Sequence, residues 1–381
     1  MNPSRFVSAI IHPLFWLSLL VGSGFAIDST SGVPGRLVAR DSVFSPAYIK
    51  SALLKAAQWQ LQHPKHQPTD WTNGAFYAGV FAAYETTKSP ALLDSLLAMG
   101  ARNRWMPGSR FDHADDIAIC QTYLDLYRLK KDRRMIQATI DTVQKMRRVP
   151  GPELAKHKLT WWWCDALFMA PPVLAKLSAT LNDPSYNTLS DSLFRQTQKH
   201  LFNEQEHLYA RDASYLVDAA GAGKREANGQ KIFWSRGNGW VMGGLVRVLQ
   251  ELPANHPSRP YYLAMFRQMS ERLLGLQQAD GLWRASLLDP AAYPGGEASG
   301  SGFDCYALAW GINQGILARK TYRPAVEKAW VALTQLVSPE GRVGWVQPIG
   351  ADPRSNFNAE SWEVYGTGAF LLAGSQVIKL K

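Results

Sequence analysis

The sequence predicts an all-α fold, an (α/α)6 double-ring barrel with a small β-hairpin insertion. Two observations predict it: two kinds of helical segment alternate along the chain, and clusters of Trp, Asp, Arg and Gly open only one of them. The first kind is amphipathic. Ile49, Leu53, Ala56 and Ala57 share one face, as do Ile136, Ile140 and Val143, and likewise Val326, Ala329, Trp330 and Leu333, with Lys, Arg, Gln and Glu opposite. These helices face water on one side. The second kind is apolar nearly all round, and a helix without a polar face has to be buried on every side. Residues 70–74 open the buried run 75–84, 113–116 open 117–126, and 161–165 open 166–177. In the same way 234–240 open 241–252, 299–303 open 306–317, and 360–368 open 369–377.

Six buried helices inside six half-exposed ones make the double ring. An open solenoid is the alternative arrangement, although the irregular spacing is not that of a short repeat. The longest connection, 207–233, carries Leu208-Tyr209, Tyr215-Leu216-Val217 and a Gly/Lys-rich turn, and reads as the β-hairpin. No linker divides residues 45–381, which form one catalytic domain. Ahead of it, Arg5, the mostly apolar run 14–21 and Gly24-Phe25-Ala26 read as an export signal over 1–26, followed by a flexible leader over 27–44. The run falls short of the roughly 20 residues that span a bilayer, so the expectation is a periplasmic or secreted protein with no membrane partner.

Composition narrows the partners. The net charge of +10 comes from scattered Lys and Arg, with no basic tail and no nucleic-acid motif. An anionic small substrate fits better than a nucleic acid. The 14 Trp suit a large core or a sugar-binding cleft. Cys120, Cys164 and Cys305 are odd in number and sit in apolar stretches, which reads as buried thiols rather than a disulfide framework. No Cys/His set has metal spacing, and neither HExxH nor GxSxG occurs. No metal or cofactor is expected.

Strict alternation has a chemical consequence: all inner helices run the same way, so their N-terminal clusters meet at a single mouth, where free N–H groups favour anions. Asp165 is the first candidate there. Three Trp and a Cys precede it and Ala166-Leu167-Phe168-Met169 follow, so desolvation would raise its pKa while the helix start would lower it. The plain alternative is a capping Asp. Asp115 and Asp116 open another inner helix about 100° apart, so one of the two faces the cleft; Asp112 is weaker. Arg236, between aromatic residues and glycines, is suited to grip a carboxylate in two parallel hydrogen bonds, with a structural ion pair as the alternative. Trp234 and Trp240 are stacking platforms or core. Arg211, Asp212, Trp163 and Ser301 are candidate polar or aromatic lining, and Trp283-Arg284 is either rim or turn. His113 is the lone His of these clusters and reads as structural.

Taken together and in order, HADDIAICQTYLDLY, WWWCDALFMAPP, FWSRGNGWVMGGLVRVLQELP, DGLWRASLLDP, SGSGF, YALAWGIN, GWVQPIGADP and VYGTGAFLLAGSQV resemble glycoside hydrolase family 105, the unsaturated rhamnogalacturonyl hydrolases. The resemblance covers residues 45–381 and implies the same double ring. It implies action on lyase-generated pectin oligosaccharides whose non-reducing galacturonic acid carries a C4=C5 double bond. Asp165 would protonate C4 of the enol ether and help water attack C5, after which the hemiketal collapses and releases the neighbouring sugar, typically rhamnose. Asp115 matches the family's second aspartate, Trp234 and Arg236 its substrate-binding pair, and Trp240 a nearby wall. The chain departs from the family at Tyr209 to Asp212, where some members have His and Arg211-Asp212 stand here. An unsaturated glucuronyl hydrolase acting on other uronic-acid polysaccharides is the related alternative, and a non-catalytic acidic-sugar-binding protein is the one of a different class.

Overall fold

The computed structural model describes residues 40–380, so the export signal and residues 27–39 of the leader lie outside the described residues. Within them, twelve long helices alternate between two rings. The outer ring is α1 (Pro46–Gln62), α3 (Pro90–Arg102), α5 (Gln137–Arg148), α7 (Ser185–Leu201), α9 (Arg259–Leu274) and α11 (Arg319–Gln335). The inner ring is α2 (Trp71–Thr87), α4 (Cys120–Lys130), α6 (Pro171–Leu181), α8 (Ser235–Glu251), α10 (Ala298–Asn313) and α12 (Val364–Val377). Single turns, Ala114–Ile117 and Ala166–Met169, lead into α4 and α6. Burial separates the rings as the apolar patterning requires: α12 is buried from Val364 to Val377, whereas α5 buries only Thr139, Ile140 and Val143.

The inner ring closes. Each inner helix packs on the next, and α12 returns to α2, which excludes the open solenoid. At this seam the backbones touch: a Cβ on Gly79 would lie 2.5 Å from the Gly368 carbonyl oxygen, and one on Gly368 equally near that of Ala75. Gly368→Val is therefore expected to destabilise the barrel by about 1–3 kcal/mol through overpacking, read as a lower urea midpoint at unchanged slope.

All six inner helices point one way. At their N-terminal ends, Trp71 of α2 stacks on Tyr365 of α12 at 5.3 Å, and His113 ahead of α4 lies 4.6 Å from Trp163 ahead of α6. The Gln347 carbonyl accepts from Arg236 of α8 at 2.7 Å and from the Tyr365 hydroxyl at 2.6 Å. At the other end, Lys176 of α6 reaches Asp125 of α4 and Glu251 of α8, and Asn313 of α10 donates to the Gln376 carbonyl of α12 at 2.9 Å.

The β-hairpin forms with a different partner from the expected one. Leu208–Tyr209 (β2) pairs antiparallel with the preceding Phe202–Asn203 (β1), not with 215–217. The Asp212 carboxylate accepts the Ser214 amide and turns the chain into a 3-10 segment, Ala213–Tyr215, before a second strand can return. The other side of β2 is taken by Asn238 of α8, whose side chain bonds both the amide and the carbonyl of Tyr209 at 2.8 and 3.1 Å. The leader's last residues, Arg40–Phe44, form a 3-10 turn with Val43 buried and its carbonyl accepting the Trp330 indole N–H at 2.9 Å. All three cysteines are free and buried. No helix among the described residues is long and apolar enough to cross a membrane.

Candidate active site

Asp165 sits where the chain enters the Ala166–Met169 turn, in the N-cap position, yet no amide of that turn donates to its carboxylate. The capping alternative is thus excluded. What fixes the segment is its neighbour: the Cys164 amide donates to the Arg211 carbonyl at 2.8 Å, and Trp163 bridges Asp212. Arg211 Nε then lies 3.5 Å from Asp165 Oδ2, and the Cys164 thiol donates to the same oxygen at 3.5 Å. Burial pushes the Asp165 carboxyl upward, and the Arg211 guanidinium pulls against it.

The rule that only one of two adjacent helical carboxylates faces the cleft resolves in favour of Asp115. Asp116 is spent on structure: its carboxylate accepts the Arg110 amide at 2.7 Å and the Arg110 guanidinium at 2.5 and 2.9 Å. Asp112 likewise accepts the Glu153 amide at 2.8 Å. Asp115 accepts no hydrogen bond among the described residues and keeps 18% of its side chain open. Burial and the negative charge of Asp165 together push it up to about 8. His113 accepts the Asp115 amide through Nδ1, leaving the proton on Nε2, and burial holds its pKa below the ordinary value. It stays neutral and structural.

Arg211 is the cation of this site. Its Nη1 donates to Asp212 at 2.8 Å, its guanidinium lies 5.4 Å over the Trp162 ring, and about a fifth of its side chain is open. Asp212 is held below the usual carboxylate range: burial pushes it up, but the hydrogen bonds from Ser214 and Arg211 outweigh that. Trp163 is buried against His113 and Trp162, so it forms the wall behind the carboxylates. Trp162, unassigned from the sequence, is the half-open ring of the three, its indole donating to Glu153 at 2.8 Å.

Four other candidates lie behind the cleft surface. Arg236 is fully buried between Trp234 and Tyr365, and its two terminal nitrogens donate to the carbonyls of Gln347 and Pro348, both at 2.7 Å. The expected fork for a substrate carboxylate is therefore already filled by backbone, and only Nε lacks a partner. Trp234 is buried and donates to Gln347 at 2.6 Å, and Trp240 is fully buried among Trp71, Phe168 and Phe303. Both are core, not exposed platforms. Ser301 is fully buried and accepts the Trp283 amide at 2.9 Å. Trp283 is itself core and Arg284 pairs with Asp280 at 2.8 Å, which settles that pair as turn and packing.

Two buried acids escaped the sequence reading. Glu297 caps α10, accepting the Ser299 and Gly300 amides, and stands 4.0 Å from Arg236. The signal was present, an acid opening an inner helix, but it lies just ahead of the motif that drew attention. Asp304 is fully buried in α10 with neither oxygen bonded, and burial followed by the Glu297 charge raises it well above the usual range. Below its unfolded pKa Asp304 is neutral in both states and costs nothing electrostatically. As pH rises, the unfolded chain ionises first and stability is lost. Asp304→Asn is therefore expected to gain stability over wild type as pH rises from 4 to 8, on the order of 1–3 kcal/mol. Thermal denaturation across that range checks it, and a pH-independent difference would contradict it.

The mouth thus brings together Asp165, Asp115, Arg211 and Asp212, with Arg236 near enough to lower the Asp165 pKa. Burial raises both carboxyls, and the Asp165 charge raises Asp115 further; two such carboxyls can divide the giving and taking of a proton. Among the described residues no group of His, Cys, Asp and Glu has the makings of a metal site.

Known proteins share this fold. A solved glycosyl hydrolase family 88 structure from Bacteroides vulgatus is 30% identical, spans 88% of this chain and 100% of its own, and superposes with a TM-score of 0.81. A possible family 105 member from Salmonella enterica shares the fold at a TM-score of 0.72 and 20% identity, over 91% of this chain and 96% of its own. An unsaturated 3S-rhamnoglycuronyl hydrolase of Formosa agariphila is 40% identical over 376 residues, 96% of this chain and 97% of the relative. The family model described as Glycosyl Hydrolase Family 88 matches residues 48–381. The chain belongs to glycosyl hydrolase family 88, a glycoside hydrolase with the (α/α)6 barrel.

Proposed function

We propose that this hydrolase removes a non-reducing C4=C5-unsaturated uronic acid from rhamnose in lyase-generated oligosaccharides, using Asp165 as general acid and base. The observation that carries the reading is the placement of Asp165 and Asp115 at one mouth, with Arg211 Nε 3.5 Å from the Asp165 carboxylate. The pair's proton goes to C4 of the enol ether. Water adds at C5 as its own proton returns to the pair, so the pair ends as it began. The C5 hemiketal opens, C1 becomes a hemiacetal, and the aglycone alcohol leaves. Arg211 balances charge while the proton is away and offers its free edge to the uronate.

The similarity to the Formosa enzyme, an unsaturated 3S-rhamnoglycuronyl hydrolase, favours a 3S-rhamnose as the leaving sugar. That enzyme is 40% identical, whereas an unsaturated rhamnogalacturonyl hydrolase of Bacillus subtilis, which speaks for the pectin reading with galacturonic acid, is 24% identical over 331 residues. With the apolar N-terminal segment acting as an export signal, the enzyme meets its substrate outside the cytoplasm.

The test follows ultraviolet absorbance of the conjugated double bond during turnover. The wild type is expected to abolish it on the unsaturated rhamnoglucuronyl disaccharide, faster than on the pectin disaccharide. Release of sugar with the absorbance intact would sink the hydration chemistry, and a faster pectin reaction would restore the galacturonyl reading.

A further inference from the structure

A second hollow lies on the mouth side, away from the carboxylate pair. It has a volume of about 680 Å³ and is walled by Tyr293, Trp345, Arg354, Asn356 and Phe357. Its position is fixed by backbone: the Trp345 carbonyl accepts the first amide of α10, from Ala298, at 2.9 Å. Trp345 itself holds φ at +55°, a region a bulky side chain enters only when its surroundings impose it. The indole faces Phe357 edge-on at 6.2 Å and is half-buried, and Gly295 packs so close to the ring that a Cβ there would stand 2.7 Å from it.

One strip of chain joins the walls of the hollow to residues that support the candidate active site. Residues 345–357 supply both its walls and, in their middle, the Gln347 and Pro348 carbonyls that fix Arg236. Gln347 also donates to the Asp352 carbonyl at 2.9 Å, and Tyr215, three residues beyond Asp212, donates to the Asp352 carboxylate at 3.0 Å. That carboxylate in turn pairs with Arg354 at 3.2 Å. Tyr215 thus ties the segment that carries the Arg211–Asp212 pair to the Arg354–Asp352 pair. Aromatic faces suit the apolar C–H face of a sugar ring. Arg354, about half exposed and tied only to a carboxylate two residues away, is free to turn to an anion.

We infer that this hollow is an outer aglycone subsite that stacks a sugar beyond the rhamnose on Trp345 and pairs its anionic group with Arg354. The inference rests on the proposed function in one respect, the identity of the oligosaccharide. A polymer alternating uronic acid with rhamnose, once cut by a lyase, places a saturated uronate one sugar past the leaving rhamnose. The anionic group is then that uronate or a sulfate ester.

The experiment compares the unsaturated disaccharide and tetrasaccharide with wild type, Arg354→Ala and Trp345→Leu. Turnover is followed by loss of double-bond absorbance, and binding is measured by calorimetry to the Asp165→Asn protein with and without each change. The tetrasaccharide is expected to bind roughly tenfold or more tightly than the disaccharide. Arg354→Ala and Trp345→Leu should each erase most of that advantage through KM while leaving the disaccharide unchanged. Carboxyl-reduced and desulfated tetrasaccharides identify the anion: the one that loses the advantage, and is indifferent to Arg354→Ala, carried it. Equal affinity for both lengths, or an equal fall for both in Arg354→Ala, overturns the subsite. Length-dependent binding without any loss of absorbance upholds the subsite and removes the hydrolase chemistry instead.

Discussion

Asp165→Asn is expected to lower kcat/KM for the unsaturated substrate by about 10²–10⁴-fold with little change in its affinity. The asparagine keeps the size and polarity of the side chain and the turn that carries it, because no amide of the Ala166–Met169 turn depends on the carboxylate. What it removes is the group that passes a proton to carbon and takes one from water. Arg211 would lose one of its two carboxylates and keep Asp212, so the local ion pairing survives. Steady-state kinetics together with calorimetric affinity separate this outcome from unfolding. A variant retaining a tenth of wild-type kcat/KM would remove Asp165 from the chemistry.

Lys176→Met is expected to destabilise the protein by about 3–5 kcal/mol, the usual effect of stranding a buried charge. Lys176 is buried in α6, with Nζ 2.5 Å from Asp125 and 3.1 Å from Glu251, so it ties α4 and α8 at the end of the barrel opposite the mouth. Burial by itself would raise Glu251, yet Lys176 and Arg128 more than reverse it and hold it near about 2. Its contribution is therefore complete above the ordinary carboxylate range and is lost only as pH falls through about 2. Methionine fills most of the volume but leaves Asp125 with Arg247, whose nearest nitrogen is 3.7 Å away. Urea denaturation at neutral pH measures the loss. Because this end lies opposite the mouth, kcat of the folded fraction is expected to hold, and a matching fall in both would mean the two ends are coupled.

How far the sequence speaks depends on the kind of statement. Helix order and ring assignment were legible because burial of a whole helix leaves a compositional mark: α10 and α12 have almost no polar face, and α5 has little else. The common mouth followed from counting alternations. The hairpin's partner was not legible, because strand pairing at 202–209 was decided by Asn238, a residue far along the chain, and by the Asp212 turn. At the site, residue type singled out Asp165 and one of Asp115 and Asp116, and the hydrogen bonds that hold Asp116 leave Asp115 for the mouth, but residue type could not tell an arginine that offers its donors from one that has used them. Arg236 and Arg211 have the same side chain. The carbonyls of Gln347 and Pro348 consume one, and the carboxylates of Asp165 and Asp212 share the other while part of it stays open. Tryptophan misled in the same way, since an indole lining a cleft and one filling the core, as Trp240 does, leave the same letter in the sequence.

The pH dependence of kcat/KM for the wild type and Asp115→Asn bears most directly on the shared proton. With one proton held between the two carboxylates, wild-type activity should fall tenfold per pH unit once the pair loses that proton near about 8. Without the second carboxylate, Asp165 beside Arg211 releases its proton earlier, so the alkaline limb of the variant should move to lower pH. An alkaline limb that stays in place when Asp115 is replaced would contradict the paired mechanism.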